Sequence, residues 1–281
     1  MPPPYIAFRG ILGGTMSIQT IKIGTMEYLA AEGISAAHCF TTRLGGVSTG
    51  YLDSMNIGLH RGDEVENVLK NYEILGSAVG FKVENCVLTR QTHTDIVRAV
   101  TMAHRGTGLT KPPFDPCDAL ITNDPGVALV VFTADCTPIL FHDPLTGAVG
   151  AAHAGWRGTA ADIAGKTVLA MVEHYGCDPK NIRCAIGPNI GPCHFETDAD
   201  VPDAMIAALG DDARPFITQK GEKYYVNLKE INALFLRRAG VEQIEISTAC
   251  TACDPRRYWS HRLVGAQRGS QGAVIVRKEI L

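Results

Sequence analysis

The chain has 281 residues, of which 46% are hydrophobic and 20% are charged, a composition typical of a folded protein with a sizeable buried core. The formal net charge is −3, so no general positive field favours nucleic acid or a membrane surface as a partner. The nine cysteines are an odd number and scattered, which favours reduced thiols over a disulfide framework. We therefore expect a cytoplasmic protein that binds neither nucleic acid nor membrane.

The start of the chain lacks the basic segment and unbroken apolar segment of a secretion signal, and no window approaches the roughly 18 apolar residues of a membrane span. No repeat, charge block or low-complexity linker divides the sequence. We therefore interpret residues 1–16 as a loose N-terminal extension and residues 17–281 as a single catalytic domain.

Hydrophobic periodicity predicts four helices, each followed by a glycine, over 63–79, 159–175, 198–209 and 227–239. The first has a start that resembles a capping box, with Asp63 and Glu66. Short apolar runs predict strands over 127–133, 138–141, 147–152, 243–247 and 273–276. Because helices and strands interleave without strict β-α-β alternation, we expect α/β or α+β layers rather than a regular Rossmann sheet or a barrel.

Three side chains form a candidate metal site. Cys136 and His153 stand at the ends of two strongly apolar strand predictions, and His93 lies upstream in LTRQTHTDIV. Two imidazoles and one thiolate suit Zn²⁺, and three protein ligands leave a fourth tetrahedral position for water or substrate. The separations match no compact zinc-finger pattern, so a buried inert cysteine with two hydrogen-bonded histidines remains an alternative.

Two segments are candidate anion sites. In HAGWRGTAAD, Thr159 and Asp162 suit a helix start, and Arg157 precedes them, an arrangement that can hold phosphate or carboxylate. A helix cap with a solvent-facing arginine explains the same pattern. The loop 41–58 is rich in Gly, Ser and Thr and carries Arg43, and such loops either wrap an anion or simply turn.

The remaining cysteines give weaker signals. Cys250 and Cys253 form a single C-T-A-C, and without a second C-x-x-C pair a structural placement is favoured over a zinc ribbon or a redox motif. The turn CAIGPNIGPCHFE forms either a pocket wall or a rigid corner, and it adds three polar side chains, Cys193, His194 and Glu196.

Eight motifs follow one another along the chain: TTRLGGVS, NIG, QTH, CDALIT, ADCTPIL, HAGWRG, AIGPNIG and CTACDP. In this order they resemble the polyphenol oxidase, or laccase-domain, purine nucleoside phosphorylase family, from about residue 38 to residue 276. The resemblance implies a single-domain, layered α-β-β-α fold of the kind shared with bacterial deamidating toxins. It also implies Zn²⁺ ligands and catalytic roles for His93, Cys136 and His153, a catalytic role for Arg43, and substrate or phosphate contacts from Arg43, Asn56, Gln91 and Arg157.

The activity that the resemblance implies is zinc-dependent phosphorolysis of adenosine, inosine and methylthioadenosine, with adenosine deamination at the same site. An open zinc position can serve deamination, because zinc lowers the pKa of a water to about 7. Phosphorolysis instead needs an anion clamp, such as Arg43 with Arg157. The sequence departs from relatives at Thr94, where a glycine commonly follows the histidine, and we expect this to narrow the pocket.

Three other classes of function stay open. Copper-dependent phenol oxidation is disfavoured, because no two of the nine histidines are two positions apart as in multicopper centres. A hydrolase, such as a deamidase or a peptidoglycan-trimming enzyme, would use Cys136 as nucleophile with His153 or His93 as base. A non-enzymatic binding protein with a structural zinc is disfavoured by an open coordination position.

Overall fold

The structure is a computed structural model that describes residues 17–277, so the predicted extension at 1–16 lies outside the described residues. Within them, the strands in chain order are β1 Ile18–Ile23, β2 Met26–Ala31, β3 Ala37–Thr41, β4 Cys86–Leu88, β5 Val97–Ala99, β6 Ala119–Thr122, β7 Ala128–Thr133, β8 Thr137–His142, β9 Val149–Ala154, β10 Arg183–Ile186, β11 Glu196–Thr197, β12 Ile217–Lys220, β13 Lys223–Val226, β14 Gln243–Ile246 and β15 Gln271–Val276. The α-helices are α1 Val65–Val79, α2 Trp156–Ala160, α3 Ile163–Tyr175, α4 Asp200–Leu209, α5 Leu228–Arg238 and α6 His261–Val264. None of these helices is both long and apolar enough to cross a membrane.

Two six-stranded sheets face each other. The first has the order β1-β2-β3-β15-β7-β4 and the second has the order β14-β10-β8-β9-β6-β5. Their facing side chains form one buried core, which includes Phe40, Leu129 and Val131 from the first sheet and Leu120 and Leu140 from the second. Strands β7, β8 and β15 are apolar almost throughout because both of their faces are covered.

Helices cover the outer faces of both sheets. Helix α1 buries Val68, Tyr72 and Leu75 against the first sheet. Helices α3 and α5 bury side chains such as Met171 and Leu236 against the second sheet. The layered α-β-β-α fold expected from the sequence is therefore confirmed.

The first predicted helix begins later than its pattern suggested. The predicted capping box has Asp63 at the N-cap position, whereas in the structure Glu64 occupies that position and its side chain makes no capping hydrogen bond. The predicted capping box is therefore wrong. The Asp63 carboxylate instead accepts hydrogen bonds from the Ser48 hydroxyl at 2.6 Å and the Asn56 amide at 2.8 Å. Gly80 ends the helix as predicted, in the left-handed conformation with φ +96°.

The predicted helix 159–175 is two helices. Asp162 takes a left-handed conformation, with φ +58°, and its carboxylate accepts the Gly165 N–H at 2.8 Å, which caps α3. Helix α2 already begins at Trp156, so Arg157 lies inside this five-residue helix instead of preceding a helix start. The anion-binding potential of this segment therefore depends on the Arg157 side chain itself.

Candidate metal centre

Three different parts of the fold bring the candidate ligands together. Cys136 lies where the chain crosses from β7 of the first sheet to β8 of the second. His153 lies near the end of the neighbouring antiparallel strand β9, paired with Pro138. His93 lies in the loop between β4 and β5, with a positive φ of +63°. The three side chains meet at one edge of the sheet pair, and we refer to them as the metal centre.

The spacing of the ligand atoms suits a tetrahedral ion. The Cys136 Sγ and the His93 Nε2 are 3.8 Å apart, and one ligand atom from each of the three residues lies within 4.8 Å of the others. Zn–N and Zn–S bonds of about 2.0 and 2.3 Å place tetrahedral nitrogen and sulfur ligands roughly 3.5 Å apart. The donor set of two imidazoles and one thiol, at this spacing, fits Zn²⁺.

Gly155 leaves the room that this arrangement needs. A Cβ atom at this position would lie 2.4 Å from the His93 Cδ2 and 3.4 Å from the Cys136 Sγ. Any larger residue would therefore clash with the His93 ring and displace it. The first glycine of HAGWRG thus has a steric role beside its neighbouring histidine.

Asp118 supports the metal centre, although no sequence pattern marked this residue. Its fully buried carboxylate accepts a hydrogen bond from the His153 Nδ1 at 2.8 Å. It also accepts backbone N–H groups of the loop that carries His93, from Thr92, His93 and Thr94 at 2.8–3.1 Å. Because the Nδ1 is occupied, the His153 Nε2 is left to face Cys136, as in metal sites where a carboxylate orients a ligand histidine.

Thr94 belongs to this support and not to the pocket wall. Its hydroxyl donates to Asp118 Oδ2 at 2.7 Å, and it is absent from the cavity lining beside Cys136. Thr94 therefore does not line the cavity beside Cys136, and this arrangement gives no support to the expectation that it narrows the pocket.

The charges of Cys136, His153 and Asp118 are coupled. Burial alone would raise the pKa of Cys136, but the adjacent His153 outweighs it and lowers the thiol pKa to about 6. Burial alone would lower the pKa of His153, but Cys136 and Asp118 raise it to about 9. Burial also opposes the charge on Asp118, yet the hydrogen bond from His153 brings its pKa down to about 2. Without a metal at neutral pH, Cys136 is therefore a thiolate, His153 an imidazolium and Asp118 a carboxylate. Metal binding must then displace a proton from His153.

A cavity of about 330 Å³ opens beside Cys136 and His93. Its apolar lining comes from Trp156, Ile190, Phe195 and Leu228, and its cationic lining comes from Arg157, Arg262 and Arg268. A volume of this order accommodates a small molecule, and apolar walls with few charged groups are typical of ligand sites.

The three arginines of the cavity wall differ in their hydrogen bonds and in their pKa. Arg262 donates to the carbonyls of His194 and Glu196, at 3.0 and 2.9 Å. Burial, and then the nearby Arg61, lower the pKa of Arg268 to about 10, so it stays charged at neutral pH. The Arg157 guanidinium has no hydrogen-bond partner among the described residues, and it lies 4.2 Å from the centre of the Trp156 ring.

The structure does not bring Arg43 to this cavity. Its Nε donates to the Asp53 carbonyl and its Nη1 to the Pro255 carbonyl, both at 2.9 Å. Its guanidinium also lies 5.0 Å from the centre of the Trp259 ring. In this arrangement the side chain links two loops.

Asn56 and Gln91 also lie outside the lining of this cavity. The buried Asn56 amide accepts the backbone N–H groups of Gly58 and Ser270 and donates to Asp63. The Gln91 amide pairs with the backbone N–H and carbonyl of Phe132, at 2.7 and 2.8 Å, and borders a separate cavity. Both amides have structural partners that the sequence could not reveal.

Comparison with known proteins identifies relatives of this chain. Residues 37–278 match the family described as "Multi-copper polyphenol oxidoreductase laccase". The "Purine nucleoside phosphorylase YlmD" of Geobacillus stearothermophilus is 39% identical over 246 residues, which cover 85% of this chain and 89% of that protein. The "Purine nucleoside phosphorylase YfiH" of Escherichia coli is 34% identical over 243 residues, which cover 86% and 93%.

Solved structures agree with the fold. The crystal structure of YlmD from Geobacillus stearothermophilus matches with a TM-score of 0.87 and 35% identity, covering 92% of this chain and 99% of that chain. The crystal structure of the Bacillus licheniformis hypothetical protein YfiH matches with a TM-score of 0.85 and 33% identity, covering 93% and 99%. The resemblance found in the sequence motifs is confirmed, and the chain belongs to the multi-copper polyphenol oxidoreductase laccase family, among whose members are proteins named purine nucleoside phosphorylases.

Proposed function

We propose that this protein is a zinc-dependent purine nucleoside phosphorylase that acts on adenosine, inosine and methylthioadenosine and also deaminates adenosine at the same site. The observation that carries the proposal is a three-ligand centre that borders a cavity with an arginine wall. The names of the relatives supply the reaction class. His93, Cys136 and His153 would hold the zinc, and when bound it supplies the Lewis acidity that deamination at C6 of adenine requires.

The cavity lining suits a nucleoside and an anion. The Trp156 and Phe195 rings offer apolar and aromatic surface for a purine, for which stacking is worth about 1–3 kcal/mol per base. Phosphate must approach C1′ of the ribose while the purine leaves, and the charge of this dianion needs compensation in a partly enclosed site. Arg157 has unengaged donors at this wall, and Arg268 adds a second positive charge.

The reaction class is tested by phosphate dependence. We expect purified protein to release adenine from adenosine only when phosphate is present, with ribose 1-phosphate as the second product, and to form some inosine. The products are measured by chromatography at matched ionic strength, with sulfate as the control anion. Adenine release at an undiminished rate without phosphate would identify a hydrolase instead.

The anion wall is tested by comparing two arginine variants. Arg157→Ala should raise the KM for phosphate about 10- to 100-fold, since a hydrogen bond to a charged group contributes about 1.5–3 kcal/mol. Deamination, whose nucleophile is water, should change much less. Arg43→Ala is the matched control, because the Arg43 Nε and Nη1 donate to backbone carbonyls and the side chain does not line the cavity.

The two variants give opposite signatures. Arg43→Ala should lower thermal stability and affect phosphorolysis and deamination equally. If Arg43→Ala instead raised the phosphate KM selectively while Arg157→Ala did not, the anion would bind at the loop that carries Arg43.

One observation favours a cysteine hydrolase as a second candidate. The order Asp118, His153, Cys136, with a 2.8 Å hydrogen bond between the first two, is also that of a nucleophile activated by an oriented base. The lowered thiol pKa of about 6 suits a nucleophile as well as a ligand. A ligand-competent replacement of Cys136 separates the two functions.

The family description also names copper. Assays of phenol oxidation on zinc-loaded and copper-loaded protein address this directly. We expect negligible oxygen consumption with zinc, because the histidine pairs of multicopper centres are absent from the sequence.

A further inference from the structure

A second group of metal-ligating side chains lies outside the metal centre. It consists of Cys193, His194, Cys250 and Cys253, whose ligand atoms all lie within 4.8 Å of one another, and we refer to it as the second cluster. Two of its members follow β10 and two follow β14, and these strands are parallel neighbours in the second sheet. The loops that follow β10 and β14 are distant in sequence, but they begin side by side because the two strands pair in parallel.

The distances within the second cluster match a tetrahedral site. The His194 Nδ1 lies 3.3 Å from the Cys193 Sγ, 3.5 Å from the Cys253 Sγ and 3.7 Å from the Cys250 Sγ. The Cys193 and Cys253 sulfurs are 3.5 Å apart. Zinc bonds of about 2.0 Å to nitrogen and about 2.3 Å to sulfur require separations of roughly 3.5 Å for N···S and 3.8 Å for S···S.

Groups around the second cluster also suit metal-bound thiolates. The Gly191 N–H points at the Cys250 Sγ at 3.1 Å, a hydrogen bond that favours the negatively charged sulfur. The buried Lys229 ammonium donates to the carbonyls of Ser247 and Ala249, at 2.7 and 2.6 Å. The Lys229 charge interacts electrostatically with the three cysteines. Because three thiolates and one Zn²⁺ together carry one net negative charge, the Lys229 ammonium can offset it.

We propose that Cys193, His194, Cys250 and Cys253 bind a second zinc ion, separate from the metal centre. Four protein ligands fill the tetrahedral sphere, which is the pattern of a structural site rather than a catalytic one. Binding would release the thiol protons to solvent and leave the sulfurs as thiolates.

The second cluster lies behind one wall of the cavity. Ile190 and Phe195, which line the cavity beside Cys136, flank Cys193 and His194 in the same loop. The Ile190 N–H donates to the Asp135 carbonyl at 2.9 Å, and the Thr251 hydroxyl donates to the Asp135 carboxylate at 2.6 Å. A zinc ion here would fix the two loops against the residue that precedes Cys136.

Metal counting on the full chain tests the proposal. Protein purified in zinc-containing medium and desalted should carry two zinc ions, measured by plasma mass spectrometry. Cys193→Ser with Cys253→Ser should lose one zinc, Cys136→Ala should lose the other, and the combined variant should lose both. Cys177→Ser is the matched control, a buried cysteine whose Sγ lies 3.3 Å from the Thr146 hydroxyl oxygen, and it should keep both zinc ions.

The counts separate failure of this proposal from failure of the proposed function. One zinc that only Cys136→Ala removes would overturn the second site and keep the metal centre. One zinc that only the Cys193/Cys253 variant removes would do the reverse.

A second measurement uses the unmodified chain, so it does not depend on whether the variants fold. In the unmodified chain, Cys193 and Cys253 are the two exposed cysteines, and zinc should protect both from iodoacetamide until a chelator is added. Peptide mass spectrometry identifies the labelled residues. Rapid labelling of both before chelation, or a Cys193–Cys253 disulfide in the purified protein, would overturn the proposal.

Discussion

Cys136→Ala should release the metal from the metal centre and abolish phosphorolysis. The thiol is one of the three proposed zinc ligands, and its pKa of about 6 makes it a thiolate at neutral pH, so its loss would remove the anionic ligand. We expect a loss of activity well beyond the roughly 10- to 100-fold effect of changing a residue that only supports a ligand. Zinc content and kcat/KM for adenosine phosphorolysis measure the two effects on one sample.

Cys136→Asp distinguishes a ligand from a nucleophile. A carboxylate can coordinate Zn²⁺ but cannot replace a thiolate as an attacking sulfur. If Cys136 acts as a ligand, this variant should retain part of the zinc and part of the activity that Cys136→Ala loses. Full zinc content with no activity in both variants would contradict the phosphorylase mechanism and favour the cysteine hydrolase.

The core of the site could be predicted because its signals are local. Cys136 and His153 stand at the ends of strongly apolar strand predictions, where packing alone would not choose polar side chains, and the motifs around them match a family. The apolar runs predicted α/β or α+β layers, and the family resemblance implied the α-β-β-α order of those layers. Short strands such as β4, β5 and β10 were missed, because three or four residues carry little periodicity.

The rest of the site depends on contacts between distant segments. Arg43 resembled an anion ligand in a glycine-rich loop, but its Nε and Nη1 donate to the carbonyls of residues 53 and 255, and it does not line the cavity beside Cys136. The second cluster was invisible as a pattern, since Cys193 and Cys253 meet only because β10 and β14 are parallel neighbours. A single C-T-A-C gave no reason to expect a partner pair in another loop.

Asp118 shows the same limit most clearly, because an acidic residue before an apolar strand is an ordinary feature of turns. Its role depends on donors from two other segments, which converge on both carboxylate oxygens. Oδ1 accepts from His153 and the His93 backbone, and Oδ2 accepts from Thr92 and Thr94. We therefore propose that Asp118 positions two of the proposed zinc ligands, His93 and His153.

Asp118→Asn should weaken zinc binding at the metal centre and lower kcat/KM, each by about 10- to 100-fold, as for other residues that orient a ligand histidine. The amide preserves shape but removes the charge, and its NH₂ group meets a donor on whichever side it points, because both oxygens now accept N–H groups. One donor is left unsatisfied at a cost of about 1–3 kcal/mol, so His153 or the loop that carries His93 must shift.

Asp118→Asn is tested by the rate at which a chelator removes zinc from the metal centre. The rate is measured in folded protein with the second cluster intact, because a purely structural role of Asp118 would not change it. Thr94→Val is the matched control, because it removes one hydroxyl donor from Asp118 while leaving the carboxylate to accept from His153. We expect zinc release to accelerate strongly in Asp118→Asn and little in Thr94→Val. Equal release rates in Asp118→Asn and the unmodified protein, with kcat/KM unchanged, would show that the carboxylate does not position the ligands.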